Sequence, residues 1–531
     1  MRRLSRAARA VSAATLLSRL LGLARESVRA ALLGSARLSD AVDVAFRLPN
    51  LLRDLFAEGA FSGAFVPALA REREARGKEA TLSLVNRAGS TLLVWVLLAV
   101  ALLAAFAPQV LGAVTSAEFR ADPERFPEAQ RLARILAPFL LFICMAVVAM
   151  GALNVCGRFF VPAVSSAAQN AVLVGGGGAL LLLGTTGGAA ATPWALLLLL
   201  GGALQFAVQW PALRREGWRP RFAPDLRLRD PAVREIVRRM APVVIGLAAT
   251  HACILVNQRL ATSDVGGASY LSYGFRLVHL PVGLVGVAVG TAVLAEASRH
   301  AARGDRSGVA RTLGDALGLC LAFALPAAAG MAVLADPIAQ LLFRHGATTA
   351  DEARAIGETI RLYAPAVVFY CCVRVVVPVF QAQGRLRVPI LAAFAAVAAN
   401  LLCGVPLHAL PEWRWRGLAL ALGAGQAANL AVLLGAVARA FGGPRPGTAA
   451  VLAKLALATA ASAGAALLVR DAIPAGASLV ARLVRVAAAV AAGGAAYVGA
   501  GLLLRSREIL VVLRAGGAAG DEAESEGGDA S

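Results

Sequence analysis

Apolar stretches long enough to cross a bilayer recur along this chain at about 7–34, 40–69, 85–114, 131–154, 160–184, 192–213, 232–261, 268–297, 309–334, 356–381, 387–410, 416–440, 448–470 and 480–505. A transmembrane helix needs about 20 such residues, and lipid leaves backbone polar groups no partner outside a helix or a closed barrel. Alternating ten-residue strands are absent, so the barrel is excluded. The composition agrees: 58% of residues are hydrophobic, 16% are charged, and mean hydropathy is +0.69. The expected fold is therefore an all-α polytopic membrane protein with about 14 transmembrane helices.

Loop charge orients the chain. The loops after the second, sixth and eighth spans carry Arg71, Arg73, Arg76 and Lys78; Arg214, Arg215, Arg219, Arg221, Arg227 and Arg229; and Arg299, Arg303, Arg306 and Arg311. The loops after the third and ninth carry Glu118, Asp122, Glu124 and Glu128, and Asp351, Glu352 and Glu358. Even-numbered loops thus lie in the cytoplasm, and both termini with them. The same distribution explains the net charge of +20 without nucleic acid, since no basic soluble module carries it. The basic start, Met1 to Arg6, is read as the head of a retained first helix, because no small-residue cleavage site follows a clean apolar core. The Gly-, Ala- and acid-rich residues 515–531 read as a disordered tail.

An internal echo divides the bundle. Phe46-Arg47-Leu48 and Phe275-Arg276-Leu277 each lead through a helix with small residues to a basic loop, and the offset, 276 − 47 = 229 residues, is close to six spans. An even number preserves orientation, giving two six-helix lobes as parallel pseudo-repeats. The expected division is 1–215 for helices 1–6, 216–441 for helices 7–12, and 442–514 for two C-terminal helices.

Two spans carry charge where apolar residues would insert more cheaply, at about 2.5–3.5 kcal/mol per charge near the bilayer centre. In the first, Arg19, Gly22, Glu26 and Arg29 recur at helical spacing, flanked by Ser18 and Arg25. In the second, Asp40, Asp43, Arg47, Asn50, Asp54 and Glu58 recur at steps of three and four, with Arg53 alongside. Either these groups pair across a helix interface, or they line a wet cavity whose arginines take an anion. Arg favours phosphate, because its planar fork binds bidentately and keeps its proton. Counting Arg19, Arg25, Arg47, Arg53 and Arg276 against Glu26, Asp40, Asp43, Asp54 and Glu58 gives near balance. Pro49, Gly59 and Pro67 in the second span, and Pro281, Gly286 and Gly290 in the eighth, together with Gly22, are hinge and close-packing positions. Five scattered histidines and seven cysteines without metal-ligand spacing give no catalytic or metal constellation.

Three blocks carry a resemblance: Ser18-Arg19-Leu20-Leu21-Gly22-Leu23-Ala24-Arg25-Glu26; Ala45-Phe46-Arg47-Leu48-Pro49-Asn50-Leu51-Leu52-Arg53; and Leu55-Phe56-Ala57-Glu58-Gly59-Ala60-Phe61-Ser62 with Ala64-Phe65-Val66-Pro67. On these the chain resembles the MurJ/MviN family of lipid II flippases, within the multidrug/oligosaccharidyl-lipid/polysaccharide exporter superfamily. Weaker similarity continues through Arg276, Pro281 to Gly290, and Phe343-Arg344-His345-Gly346. The resemblance implies a central cationic cavity, with helices 13 and 14 beside a groove for a lipid tail. It implies that Ser18, Arg19, Arg25, Asn50, Arg53 and Arg276 bind the substrate headgroup. Glu26, Asp40, Arg47, Asp54 and Glu58 would form the supporting charge network. The expected activity is export of undecaprenyl-diphosphate-linked peptidoglycan precursor from the inner to the outer leaflet of a bacterial cytoplasmic membrane by alternating access, with no covalent chemistry and no cofactor or metal. The coupling ion or membrane potential is left open. Membrane lipids and cell-wall synthesis machinery are the further partners, and a monomer the expected state. Phe275 stands where the family often has Asp, and the positions some members use for sodium hold neutral Asn257 and Asn400, so sodium coupling does not follow. A flippase for another polyprenyl-diphosphate glycan, a membrane enzyme of polyprenyl-phosphate metabolism and a non-transporting scaffold are the alternatives.

Overall fold

The computed structural model describes residues 2–34, 36–54, 60–443, 447–474, 476 and 478–511, with no strand among them. Glu58, Gly59 and the expected disordered tail lie outside the described residues. Twenty α-helices follow in order: α1 (Arg2–Leu33), α2 (Arg37–Arg53), α3 (Ala60–Ala105), α4 (Ala107–Val114), α5 (Ala117–Ala121), α6 (Arg125–Leu136), α7 (Phe139–Val155), α8 (Phe160–Leu182), α9 (Gly188–Ala207), α10 (Trp210–Arg215), α11 (Pro231–Ala261), α12 (Gly267–Pro281), α13 (Val287–Ala302), α14 (Arg306–Val333), α15 (Ala335–Phe343), α16 (Ala350–Ala382), α17 (Arg387–Ala409), α18 (Arg414–Phe441), α19 (Thr448–Ala472) and α20 (Leu479–Leu503).

These helices account for the fourteen apolar stretches. Several spans are built from two pieces, as with α6 and α7, which are broken at Pro138. The basic turn after the second span is helical where a loop was expected. Helix α3 runs through Arg71, Arg73 and Arg76 until Gly77, whose φ of +80° turns the chain into the third span. Only glycine takes that conformation without strain.

Nine described helical stretches pass a simple test of length and apolarity. Helices α2, α12 and α13, at 17, 15 and 16 residues, are each too short to pass it alone.

The chain forms two compact units. One comprises residues 1–272 with 343–352; the other comprises 273–342 with 353–531. In the first unit, α1 packs on α8, α3 on α7 and α11, and α2 on α6. Gly177 lets α1 approach α8, since a Cβ there would fall 2.5 Å from Val28 Cγ1. The long segment between α10 and α11 is strapped onto α3. Trp218 Nε1 donates to Asn86 Oδ1 at 2.9 Å, Asn86 Nδ2 donates to the Arg219 carbonyl at 2.9 Å, and the Asp225 amide donates to Thr91 Oγ1 at 2.9 Å. In the second unit α17 pairs with α18, and α19 with α20 and α14. Tyr497 Oη donates to the Ala322 carbonyl at 2.6 Å, tying α20 to α14.

Candidate functional site

The polar stripe of α1 is the centre of a chain of hydrogen bonds and ion pairs within the first unit. Asn170 on α8 donates through Nδ2 to the Ser18 carbonyl at 3.0 Å and accepts at Oδ1 from Arg25 Nη1 at 3.0 Å. Arg25 Nη2 also donates to Glu26 Oε1 at 2.6 Å, and the other Glu26 oxygen lies 3.4 Å from Arg29 Nε. Arg29 then forks onto Asp43 of α2, at 2.7 and 3.2 Å, and Ser272 Oγ donates to Asp43 at 3.4 Å. Glu26 is 2% exposed, Arg29 7% and Asp43 8%, so charges that repeat along one helix face satisfy each other away from lipid.

Asp40 is fully buried and saturated. It accepts from the Gly266 amide at 2.7 Å, the Ser269 amide at 2.9 Å and Ser269 Oγ at 2.8 Å, with Arg125 Nη1 at 3.4 Å. It clamps α2 to the first turn of α12 and the residue before it. Arg125 in turn bonds Asp122 at 2.9 Å, and that carboxyl stays below the usual range. Burial pushes it up, but the amides of Arg125 and Glu124 and the Arg125 guanidinium outweigh burial.

The remaining headgroup positions are placed as follows. Ser18, Arg19 and Asn50 are half-buried on α1 and α2. Arg47 Nε donates to Gln258 Oε1 of α11 at 3.1 Å, and Arg53 Nη2 donates to Asp54 at 2.9 Å. Arg276 is exposed on α12 and belongs to the second unit. Glu58 is outside the described residues.

The candidate hinge positions divide in the same way. Gly22 faces Asn170, where a Cβ would find ordinary contact at 3.7 Å. Pro49 is buried inside α2, and Pro67 lies inside α3. Pro281 ends α12, and the next five residues, Val282–Gly286, form a π-type turn. Beyond it α13 lies hard against α16: a Cβ on Gly290 would fall 2.5 Å from the Arg374 carbonyl oxygen, and one on Gly286 would fall 3.3 Å from Arg374 Cβ.

Asn170, Gln258, Arg125 and the Arg29–Asp43 fork complete this network without having stood among the expected site residues. Asn170 has no sequence signal, being one of two adjacent amides, with Gln169, in a helix without charge. Arg29 did have one, as the last member of the α1 stripe. Among the described residues no group of three His, Cys, Asp or Glu side chains could hold a metal ion.

A family model described as lipid II flippase MurJ matches residues 29–486. A relative from Burkholderia cenocepacia, named lipid II flippase MurJ, is 32% identical over 454 residues, covering 84% of this chain and 86% of its own. Among solved structures, a lipid II flippase MurJ in an inward closed conformation superposes with a TM-score of 0.75 at 23% identity, covering 93% of this chain and 98% of its own. An inward-facing multidrug transporter of the MATE family superposes at 0.65 with 15% identity, covering 82% and 95%. Both superpositions speak for the fold.

Proposed function

This chain belongs to the MurJ family of lipid II flippases, and from that premise we propose that it carries lipid II across the membrane by alternating access, from the cytoplasmic to the outer leaflet. The observation that carries the reading is the family match across most of the chain, and the arginine-rich faces of α1 and α2 supply the chemistry. The protein is a transporter and needs no covalent step. Its membrane is a bacterial inner membrane, with both termini cytoplasmic. The lobes 1–215 and 216–441 would rock about the site, with 442–514 flanking the lipid tail.

Arg19, Arg25, Arg53 and Arg276, with Ser18 and Asn50, are the proposed headgroup contacts. At rest, Arg25 is neutralised by Glu26 and oriented by Asn170. An arriving diphosphate exchanges for the Glu26 carboxylate on Arg25, and the carboxylate returns when the headgroup leaves. The exchange leaves the Arg25 guanidinium paired in both states, which limits the cost of burying its charge, and competition from the carboxylate prevents so tight a grip that release stalls. Arg29, locked onto Asp43, acts as a positioning residue.

The test is complementation of a cell depleted of its own lipid II flippase, read by labelling externally exposed precursor. Wild type should restore exposure, Arg25→Ala should abolish it, and Arg25→Lys should restore only part, because an ammonium replaces a fork by a point charge. Normal membrane insertion of wild type with no exposed precursor overturns the reading.

A further inference from the structure

Three arginines from three separate connections meet at the second unit's proposed cytoplasmic end. Arg306 opens α14, Arg385 lies between α16 and α17, and Arg439 lies in the last turn of α18. With Ser298, Gly304, Asp305, Gln383 and Phe441 they line an open cavity of about 750 Å³. All three are exposed, and among the described residues none of them forms an ion pair. The one acid in the lining is already engaged. Asp305 caps α14 by accepting from the Gly308 amide at 2.8 Å, and it also accepts from Ser307 Oγ at 2.8 Å and meets His300 Nδ1 at 2.9 Å. Those contacts, the Gly308 amide first, hold its carboxyl down at about 2. The cavity therefore presents unspent positive charge.

We propose that this cavity binds the phosphate headgroup of an anionic membrane phospholipid. The assignment rests on the topology proposed above, which puts these even-numbered connections at the inner membrane surface. Basic pockets between helices on that side suit such headgroups. The cavity's surroundings select a lipid over a free anion. Arg385 is followed by exposed Leu386, Ile390 and Phe394, at 55, 52 and 51%, spaced four apart from the N-cap of α17 into the helix. Residues four apart share a helix face, so acyl chains have an apolar row leading away from the phosphate. The apolar lining residues Val309, Ala440 and Phe441 favour a glycerol backbone more than hydrated inorganic phosphate.

The experiment uses the full-length purified protein and native mass spectrometry, with phosphatidylglycerol and cardiolipin titrated into zwitterionic detergent. Wild type should keep anionic lipid bound, and 10-fold more inorganic phosphate should not displace it. The triple variant Arg306→Ala/Arg385→Ala/Arg439→Ala should bind about 100-fold more weakly, at about 1 kcal/mol per basic residue. The triple Lys variant should recover most of the binding. The control Arg215→Ala/Arg227→Ala, exposed arginines of another connection, should bind as wild type. Equal lipid binding by the wild type and the Ala triple variant overturns the proposal, as does displacement by phosphate alone, which would make the ligand a soluble anion. Failure of lipid II export with lipid binding intact would strike the flippase reading and leave this site standing.

Discussion

The two best-buried carboxylates among the described residues, Glu26 and Asp40, are satisfied in different ways, and substitution should separate them. Asp40 takes two amides, a hydroxyl and a guanidinium, so Asp40→Ala orphans buried donors on α12's approach as well as Arg125. Breaking one side of a buried charge network costs about 3–5 kcal/mol. A large drop in thermal stability in detergent is therefore expected. Arg29→Ala, which strands Asp43, should cost a similar amount, and Arg25→Ala distinctly less, because Arg25 is more exposed and Glu26 keeps Arg29. Similar melting temperatures for the Arg29 and Arg25 variants would contradict the network as described. A second expectation concerns pH. The Asp305 carboxyl is depressed from 3.8 to about 2 by the Gly308 amide, the Ser307 hydroxyl and His300. A depressed carboxylate stabilises the fold above its unfolded value and loses that contribution as pH falls through its folded value. Cap protection of the Gly308 amide against hydrogen exchange should persist above pH 3.8 and fade toward about 2. In Asp305→Asn that pH dependence should vanish.

At the scale of the helix, apolar runs made the spans legible, since a bilayer imposes length and polarity on every crossing. The polar stripe of α1 was legible for the same kind of reason, a spacing that repeats within one element. What could not be read was pairing between elements. Asn170 lies 145 positions from Arg25, and Gln258 lies 211 from Arg47, so no local period announces either contact. The helical course of α3 through its basic turn was likewise hidden, because arginines favour helix and loop alike and only Gly77 marks the bend. Close packing at Gly290 gives the element-scale prediction. Because the obstacle is the Arg374 backbone carbonyl at 2.5 Å and not a movable side chain, Gly290→Ala must push α13 from α16. The expected result is reduced transport and a melting temperature lowered by a few degrees, whereas Gly304→Ala tests only a positive φ of +70° with open space around it. Equal effects at the two sites would argue against the α13–α16 contact.

For the whole molecule, the membrane potential acts on net charge carried across, and the structure constrains that charge. In the first unit Arg25 and Arg29 balance Glu26 and Asp43, and Arg53 lies on Asp54. These groups move as neutral sets if the lobes rock. A loaded site differs, since the diphosphate adds two negative charges, and an inside-negative potential favours their outward passage. One elementary charge crossing the full field is worth about 2.3 kcal/mol per 100 mV, an upper bound for a site that moves through part of it. Lipid II export in proteoliposomes should therefore accelerate with inside-negative potential. Glu26→Gln removes one negative charge without changing shape, so the loaded site carries one charge fewer outward. Its voltage dependence should be shallower by about half. The same substitution removes the carboxylate that competes for Arg25, so the headgroup should bind more tightly and leave more slowly, lowering the rate at zero potential. A Glu26→Gln protein with the wild-type voltage slope and the wild-type rate at zero potential would show that the carboxylate neither moves with the substrate nor exchanges with it.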